Sequence, residues 1–443
     1  MQSETGIHRQ YGSRKDGGLI VAVDIGSARV ACAIAELGRE RPMILAAESA
    51  ASYGIRGGEI VDLARASEAI GIAIQAAADR ADAQVQTVVV GLSGDTKLST
   101  TKATMNLDRE HRTVMPADVV RLRRSLAGDC GAGRRLIHRF DGPYSVGDLH
   151  GVEHPEGLNG DTLEMQASFL SASSDRLDNV LKAVRAVGVE IEAVSLEPYT
   201  GSMGALSHDE RALGAAVLDF GAGAFRGTLW EGGRLRQIYV AGRESAPLVS
   251  QSGRCLDGIA PSLGGMEGVN MALSRRFRIA PATAQRLLRT HAALGQEEVD
   301  KISPFAEVAA VDGLGSVRID TRELSRTLEE LLAPVARSLR ESLSGFATGH
   351  SVGVVLIGGG ARIKGMPQWI SKRFGEATVR LGIPTWDLAE SAHVQGDLLD
   401  CAGCSLAGLL ALGAEGRERA GFKRSVSILA RIGANLRRVV ASL

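Results

Sequence analysis

Two stretches of the chain share one pattern of apolar and small residues. Leu19 to Ala33 (LIVAVDIGSARVACA) and Leu213 to Trp230 (LGAAVLDFGAGAFRGTLW) each run an apolar strand into Asp-x-Gly-small and leave as a second strand. The first turn carries Asp24, Gly26, Ser27, Ala28 and Arg29; the second carries Asp219, Gly221, Ala222 and Gly223. An apolar run bounded by turn residues marks a buried strand. A turn of Asp and small residues bares backbone N–H groups that can cradle a phosphate, and its carboxylate can hold hydrated Mg²⁺. One Asp-x-Gly closes many ordinary hairpins. Two such units, each opening one half of the chain, predict a duplicated fold with a nucleotide between the halves. A third glycine run, Gly358-Gly359-Gly360-Ala361, follows the buried strand Val352–Ile357. Strand, glycine triplet and helix let a flat ring or a phosphate approach the backbone and a helix N-terminus.

The rest of the pattern supplies the elements around these turns. Leu19–Leu37 predicts two strands, Met43–Glu48 a third, and Thr87–Leu92 (TVVVGL) a buried one. Leu63 to Ala81, with Ile70, Ile72, Ile74 and repeated Ala, predicts an apolar-rich helix. From Ser99 to Arg176 charge density rises and Pro and Gly punctuate short segments such as Leu136–Phe140 and Leu163–Leu170, with a helix at Val119–Leu126. This predicts an inserted α+β subdomain. Asp175–Val187 and Pro198–Leu206 read as helices flanking the strand Glu190–Leu196, after which the strand–turn–strand order restarts. Val240 to Leu263 reads as a surface loop. Val269–Arg278 and Pro281–Leu294 form a basic helical pair carrying Arg275, Arg276, Arg278, Arg286 and Arg289, which suits either a solvated face or a dock for an acidic peptide. Asp320 to Phe346 is an amphipathic helix interrupted at Pro334.

The end of the chain has a different texture. Ala414–Gly421 (AEGRERAG) reads as a charged linker into Phe422–Leu443. There Phe422, Val426, Leu429, Ile432, Leu436 and Val440 fall on one helical face, while Lys423, Arg424, Arg431, Arg437 and Arg438 lie off it and no acid occurs. A basic helix with an apolar face fits an anionic membrane interface. The alternatives are docking on the protein's own core or in a partner's groove.

Composition narrows the classes. The 443 residues suit two to four packed units, with 44% hydrophobic and 23% charged residues as in ordinary globular proteins. Lys+Arg and Asp+Glu both total 51 and aromatics make up 4%, so no nucleic-acid partner is expected. The five scattered cysteines fit a reducing compartment. Cys401-Ala402-Gly403-Cys404 stands alone as a CxxC and runs on into a buried helix pattern, so a structural role outweighs zinc, which needs four ligands. Residues 1–18 are polar and read as disordered, with no secretory signal, and no run is long enough to span a membrane. His111, His138, His150 and His154 lack metal spacing and read as satisfied or exposed.

Together these pieces resemble the ATPase superfamily of actin, the heat-shock chaperones and hexokinase. Within it the chain resembles the FtsA family of bacterial cell-division proteins over nearly its whole length. The stretches that carry the likeness are VDIGSARVACAIAEL (23–37), VVVGLSG (88–94), the segment 134–170, VLKAVRAVGVEIEAVSLEP (180–198), LGAAVLDFGAGA (213–224), VVLIGGGARIKGM (354–366) and the tail. The resemblance implies an α/β, actin-like duplicated two-domain fold with an inserted small α+β subdomain and a C-terminal amphipathic helix. It divides the chain into a disordered 1–18, a first domain at 19–98 and 177–211 around the insert 99–176, and a second domain core at 212–245 and 320–395 around an outer part at 246–319. A helix at 396–413 returns to the first domain, and the linker 414–421 precedes the membrane-targeting helix 422–443.

The resemblance further implies ATP and Mg²⁺ as cofactors, with Asp24 and Asp219 beside the metal and the three turns holding the nucleotide. It implies self-association, binding of the C-terminal peptide of the tubulin-like FtsZ near Arg275–Arg289, recruitment of later division proteins, and a peripheral location on the inner face of the cytoplasmic membrane at the division site. A pilus-assembly relative or a small-molecule kinase of the same superfamily is the alternative. The chain departs from the family pattern at the second phosphate loop, which usually reads DIGGGTTD. Here Ala224 replaces the first Thr and Arg226 stands where the last Asp is expected; Asn270 also replaces an Asp. Gln285 and Leu288 occupy the places of the Glu and Lys that grip ribose and base. The expectation is nucleotide binding with weak or absent hydrolysis, Arg226 being free to pair with phosphate.

Overall fold

The computed structural model describes residues 18–37, 41–107, 113–126, 130–241, 264–310, 315–343 and 353–419. The two Asp-x-Gly units become the central hairpins of two sheets. Leu19–Ile25 pairs antiparallel with Arg29–Glu36, and Ala215–Phe220 pairs antiparallel with Phe225–Glu231. On its other side each first strand takes a parallel neighbour, Thr87–Leu92 in one sheet and Val354–Ile357 in the other. Beyond these lie Glu190–Leu196 and Val379–Leu381, again parallel. Beyond the hairpins lie Met43–Ala51 and Arg234–Ala241, both antiparallel. The two sheets therefore share strand order and pairing sense, and the duplication inferred from the sequence is present in the topology.

The first sheet is buried on both faces, which is why its strands read as continuous apolar runs. Val21, Val23, Cys32 and Ile34 pack toward Ile70, Ala73, Ile74 and Ala77 of the helix Leu63–Ala81. Ile20, Ala22, Ala31 and Ala33 pack toward Leu406, Leu409 and Leu410 on the opposite side. Ile72, two residues from Ile70 and Ile74, faces away from the core and is exposed.

The helix Thr321–Ser342 runs straight through Pro334, where an interruption was expected. A helix-interior proline costs about 3 kcal/mol. Five residues on one face, Leu324, Leu328, Leu332, Val335 and Leu339, are buried against the second sheet. At about 1.5–3 kcal/mol per buried aliphatic side chain they outweigh that cost.

Residues 96–173 build a separate four-stranded sheet from Thr96–Asn106, Thr162–Ser173, Arg134–Val146 and Leu149–Val152, with the helix Pro116–Ser125. Its own core contains Leu122, Leu126, Leu163, Met165 and Phe169. The strands are longer than the short segments the sequence suggested. Thr96–Asn106 is half-exposed or exposed along its length, and backbone pairing with Thr162–Ser173 defines it rather than apolar periodicity.

Two boundaries move. Asp387–Val394, assigned from sequence to the second half, pairs parallel with Met43–Ala51 at the edge of the first sheet. The strand is mostly exposed, so its pattern carried no signal of that partner. The helix Cys404–Arg419 continues through most of the stretch read as a linker. Ala, Glu and Arg are good helix formers, and Arg417 clamps Glu192 with two bonds of 3.0 and 2.7 Å. Residues 1–17, the loop predicted over 240–263 apart from Val240 and Ala241, and the amphipathic tail lie outside the described residues.

Candidate functional site

The two hairpin turns and the glycine run line one cleft of about 390 Å³, a size suited to a small ligand. Asp24, Gly26, Ser27, Ala28 and Arg29 come from the first turn, Asp219, Gly221, Ala222 and Gly223 from the second, and Gly358, Gly359 and Gly360 from the third. Ala361 turns away and is buried in the second core. The turns approach closely. Ser27 is buried and its Oγ accepts a 2.9 Å hydrogen bond from the Gly58 N–H. A Cβ at Gly223 would overlap that Ser27 side chain, and one at Gly358, whose φ is +83°, would overlap the Asp219 carboxylate.

Residues from other segments complete the walls. Ser93 follows Thr87–Leu92, and Glu197 opens the helix after Glu190–Leu196; Ser93 Oγ donates to Glu197 Oε2 at 2.6 Å. The position of both at the carboxyl ends of parallel strands, where ligands gather in α/β sheets, was the sequence signal that could have found them. Met266, Asn270, Gln285, Leu288, Arg362 and Asp397 also line the cleft. So does Arg289, expected on the docking surface; it lies one residue past Leu288 on the same helix. Arg275, Arg276, Arg278 and Arg286 are exposed, and Arg276 bonds Glu323 at 3.0 Å.

Arg226 is not free for phosphate. It stands directly across the hairpin from Asp219. Its Nη1 lies 2.8 Å from Asp219 Oδ2 and 2.8 Å from Glu197 Oε2. Burial works to lower the guanidinium pKa, but Glu197 and Asp219 outweigh it and hold it above the ordinary value. Asp24 Oδ1 is buried without a hydrogen bond among the described residues. Burial, and after it the Glu197 carboxylate, push the Asp24 carboxyl up to about 7, against the pull of Arg29 and Arg226. Asp219 is raised by the same two causes while Arg226 pulls it down.

A carboxyl that ionises less readily folded than unfolded weakens the fold as pH rises from its ordinary 3.8 to about 7. The penalty is absent at lower pH and complete above about 7. Asp24→Asn is therefore expected to raise the denaturant midpoint above pH 7 and to leave it unchanged near pH 4. An equal midpoint at both would remove the desolvated carboxyl from this account.

The cysteines of the CxxC are buried. Burial pushes Cys401 up to about 12 and Cys404 well above its usual range, and Cys401 Sγ donates to the Gly358 carbonyl at 3.5 Å. These are packed, unreactive thiols. His138 is buried and bonds Ser195 Oγ at 2.8 Å.

No protein-family model matches the chain. Curated proteins do. The cell division protein FtsA of Streptococcus pneumoniae is 24% identical over 371 residues, covering 83% of this chain and 76% of its own. FtsA of Pseudomonas aeruginosa is 25% identical over 386 residues, 84% of each chain. FtsA of Escherichia coli K12 is 25% identical over 387 residues, covering 83% and 85%. All three of these curated relatives are FtsA proteins. Solved structures agree on the fold. A type IV pilus biogenesis complex of PilM and PilN matches with a TM-score of 0.55 at 16% identity, covering 89% of this chain and 98% of that one. MreB5 of Spiroplasma citri bound to ADP matches with a TM-score of 0.51 at 10% identity, covering 92% and 99%. The fold is actin-like, and among the alternatives the sequence relation favours FtsA over the pilus proteins.

Proposed function

We propose that this actin-like, FtsA-related chain is a membrane-tethered adaptor of cell division whose cleft takes an adenine nucleotide. One observation carries the nucleotide. Asp24 Oδ1, Arg226 Nε and Asn270 Oδ1 are buried without hydrogen-bond partners among the described residues, and all three residues line the same cleft. An unsatisfied buried polar atom costs about 1–3 kcal/mol, so three on one cleft favour a ligand that supplies their partners. The backbone of Gly26–Arg29 and Gly221–Gly223 would hold phosphates, and Gly358–Gly360 with Gln285, Leu288 and Arg289 would hold ribose and base. Mg²⁺ does not fit at Asp219, since the carboxylate that would face it is already held by Arg226. Weak or absent hydrolysis follows from that loss.

The adaptor role rests on the homologues, on the exposed arginines of the two basic helices, and on the tail. The four-stranded sheet of residues 96–173 has a core of its own and is read as the inserted subdomain. The tail would place the protein on the inner face of the cytoplasmic membrane and the basic helices would take the FtsZ C-terminal peptide. No helix among the described residues is long and apolar enough to cross a membrane.

Two measurements on the full chain test the reading. Calorimetry should show ATP binding that weakens in Asp24→Ala. Pelleting with anionic vesicles should be lost in the double variant Leu429→Glu, Ile432→Glu, which breaks the apolar face without altering its basic residues. Absence of ATP binding would sink the nucleotide part, and unchanged pelleting would sink the membrane tether.

A further inference from the structure

We infer that Arg226 is a built-in cation taking the place of a divalent metal, so that the cleft binds a nucleotide polyphosphate without Mg²⁺. The inference rests on the nucleotide reading above and adds to it the form of nucleotide that binds. Asp24, Glu197 and Asp219 all line the cleft, and three carboxylates facing a polyphosphate need positive charge between them. The Arg226 guanidinium supplies it. A single nitrogen, Nη1, meets Asp219 Oδ2 and Glu197 Oε2 at 2.8 Å each, and the three side chains are 3%, 8% and 14% exposed.

This position is fixed from two sides. Asp219 faces Arg226 across the hairpin register, and Glu197 is held from behind by the Ser93 hydroxyl. A divalent ion on the same carboxylate oxygens would lie against the guanidinium, and two cations in contact at a buried site repel strongly. The pair therefore excludes a metal from these oxygens. A guanidinium has five N–H donors in a rigid fork, and its Nε lacks a partner among the described residues. Arg29, whose Nη2 bonds the Ala402 carbonyl at 2.7 Å, and Arg362, paired with Asp397 and Asp400 at 3.1 and 2.6 Å, add fixed positive charge to other parts of the wall.

The test is calorimetric titration of the full chain with ATP, once in millimolar Mg²⁺ and once in EDTA, with Arg226→Gln and Arg226→Lys alongside. The unaltered chain should bind with the same affinity in both, within about twofold, and Arg226→Lys should keep this metal independence. Arg226→Gln should bind about tenfold or more weakly in EDTA and regain affinity in Mg²⁺. In thermal unfolding without nucleotide, Mg²⁺ should raise the midpoint of Arg226→Gln and not that of the unaltered chain. If Arg226→Gln does not fold, the unaltered chain and the Lys variant carry the comparison. A tenfold or greater loss for the unaltered chain in EDTA would overturn the inference and leave the nucleotide reading standing. No ATP binding in either buffer would overturn both.

Discussion

Replacing Gly408 by alanine is expected to cost about 3 kcal/mol or more of stability, at the upper end of what overpacking does. The sign is the informative part. Alanine is a better helix former than glycine by about 1 kcal/mol, and Gly408 lies inside the helix Cys404–Arg419. Propensity alone would therefore predict a gain. The contact predicts the reverse, because a Cβ at Gly408 would overlap the Thr200 carbonyl of the helix Glu197–Ala205. At Gly204, on that second helix, a Cβ would overlap the Cys404 carbonyl and the Gly408 nitrogen. All these neighbours are backbone, so no rotamer change relieves them. The helices cross at a pair of glycines, and one bears Glu197 while the other bears Ser405, both on the cleft wall. Denaturant unfolding of Gly408→Ala measures the effect. Gly396→Ala, where a Cβ meets nothing within 4 Å, serves as control and should stay within about 0.5 kcal/mol. A gain in Gly408→Ala would mean that the helices do not pack backbone to backbone.

Removing the Arg226 charge should be comparably severe. Arg226→Met keeps much of the volume but leaves the Asp219 and Glu197 carboxylates buried without their cation, a change that costs about 3–5 kcal/mol when one partner of a buried ion pair is lost. The loss should depend on pH with a definite sign. Without the guanidinium, which pulls it down, the Asp219 carboxyl raised by burial ionises still less readily in the folded state than unfolded, so the folded protein binds more protons and loses stability as pH rises. The difference from the unaltered chain should be greatest above about pH 7, where Asp24 and Asp219 are also pressed to ionise, and should shrink on acidification. Adding Asp219→Asn to Arg226→Met should return part of the loss, since a neutral amide needs no cation. Denaturant midpoints over a pH series check both statements. A loss independent of pH would point to packing rather than charge.

The same site separates what is local from what is not. The strand–turn–strand units at Asp24 and Asp219, the helix Leu63–Ala81 and the glycine run after Val354–Ile357 were all legible. Each is encoded by its own residues, through period and turn chemistry. The repeat of one unit in each half was enough to call for a duplicated fold, and the two sheets share their strand order. Arg226 stood out in the sequence as a departure, but its partners did not. Ser93 and Glu197 follow neighbouring strands of the first sheet and meet at 2.6 Å, and only the closure of the two halves brings Glu197 within 2.8 Å of Arg226.

By itself, then, the sequence determined the α/β class, the duplication, the three glycine-rich turns and the amphipathic pattern of the tail. Tertiary structure decided that Arg226 pairs with Asp219 and Glu197, and that Arg289 lines the cleft. It also decided that Asp387–Val394 closes the edge of the first sheet, and that Gly204 and Gly408 let two helices touch. The physical reason is common to all four. Periodicity records whether a residue is buried, but which distant group it meets depends on strand register and on how closely two backbones approach, and neither leaves a local trace.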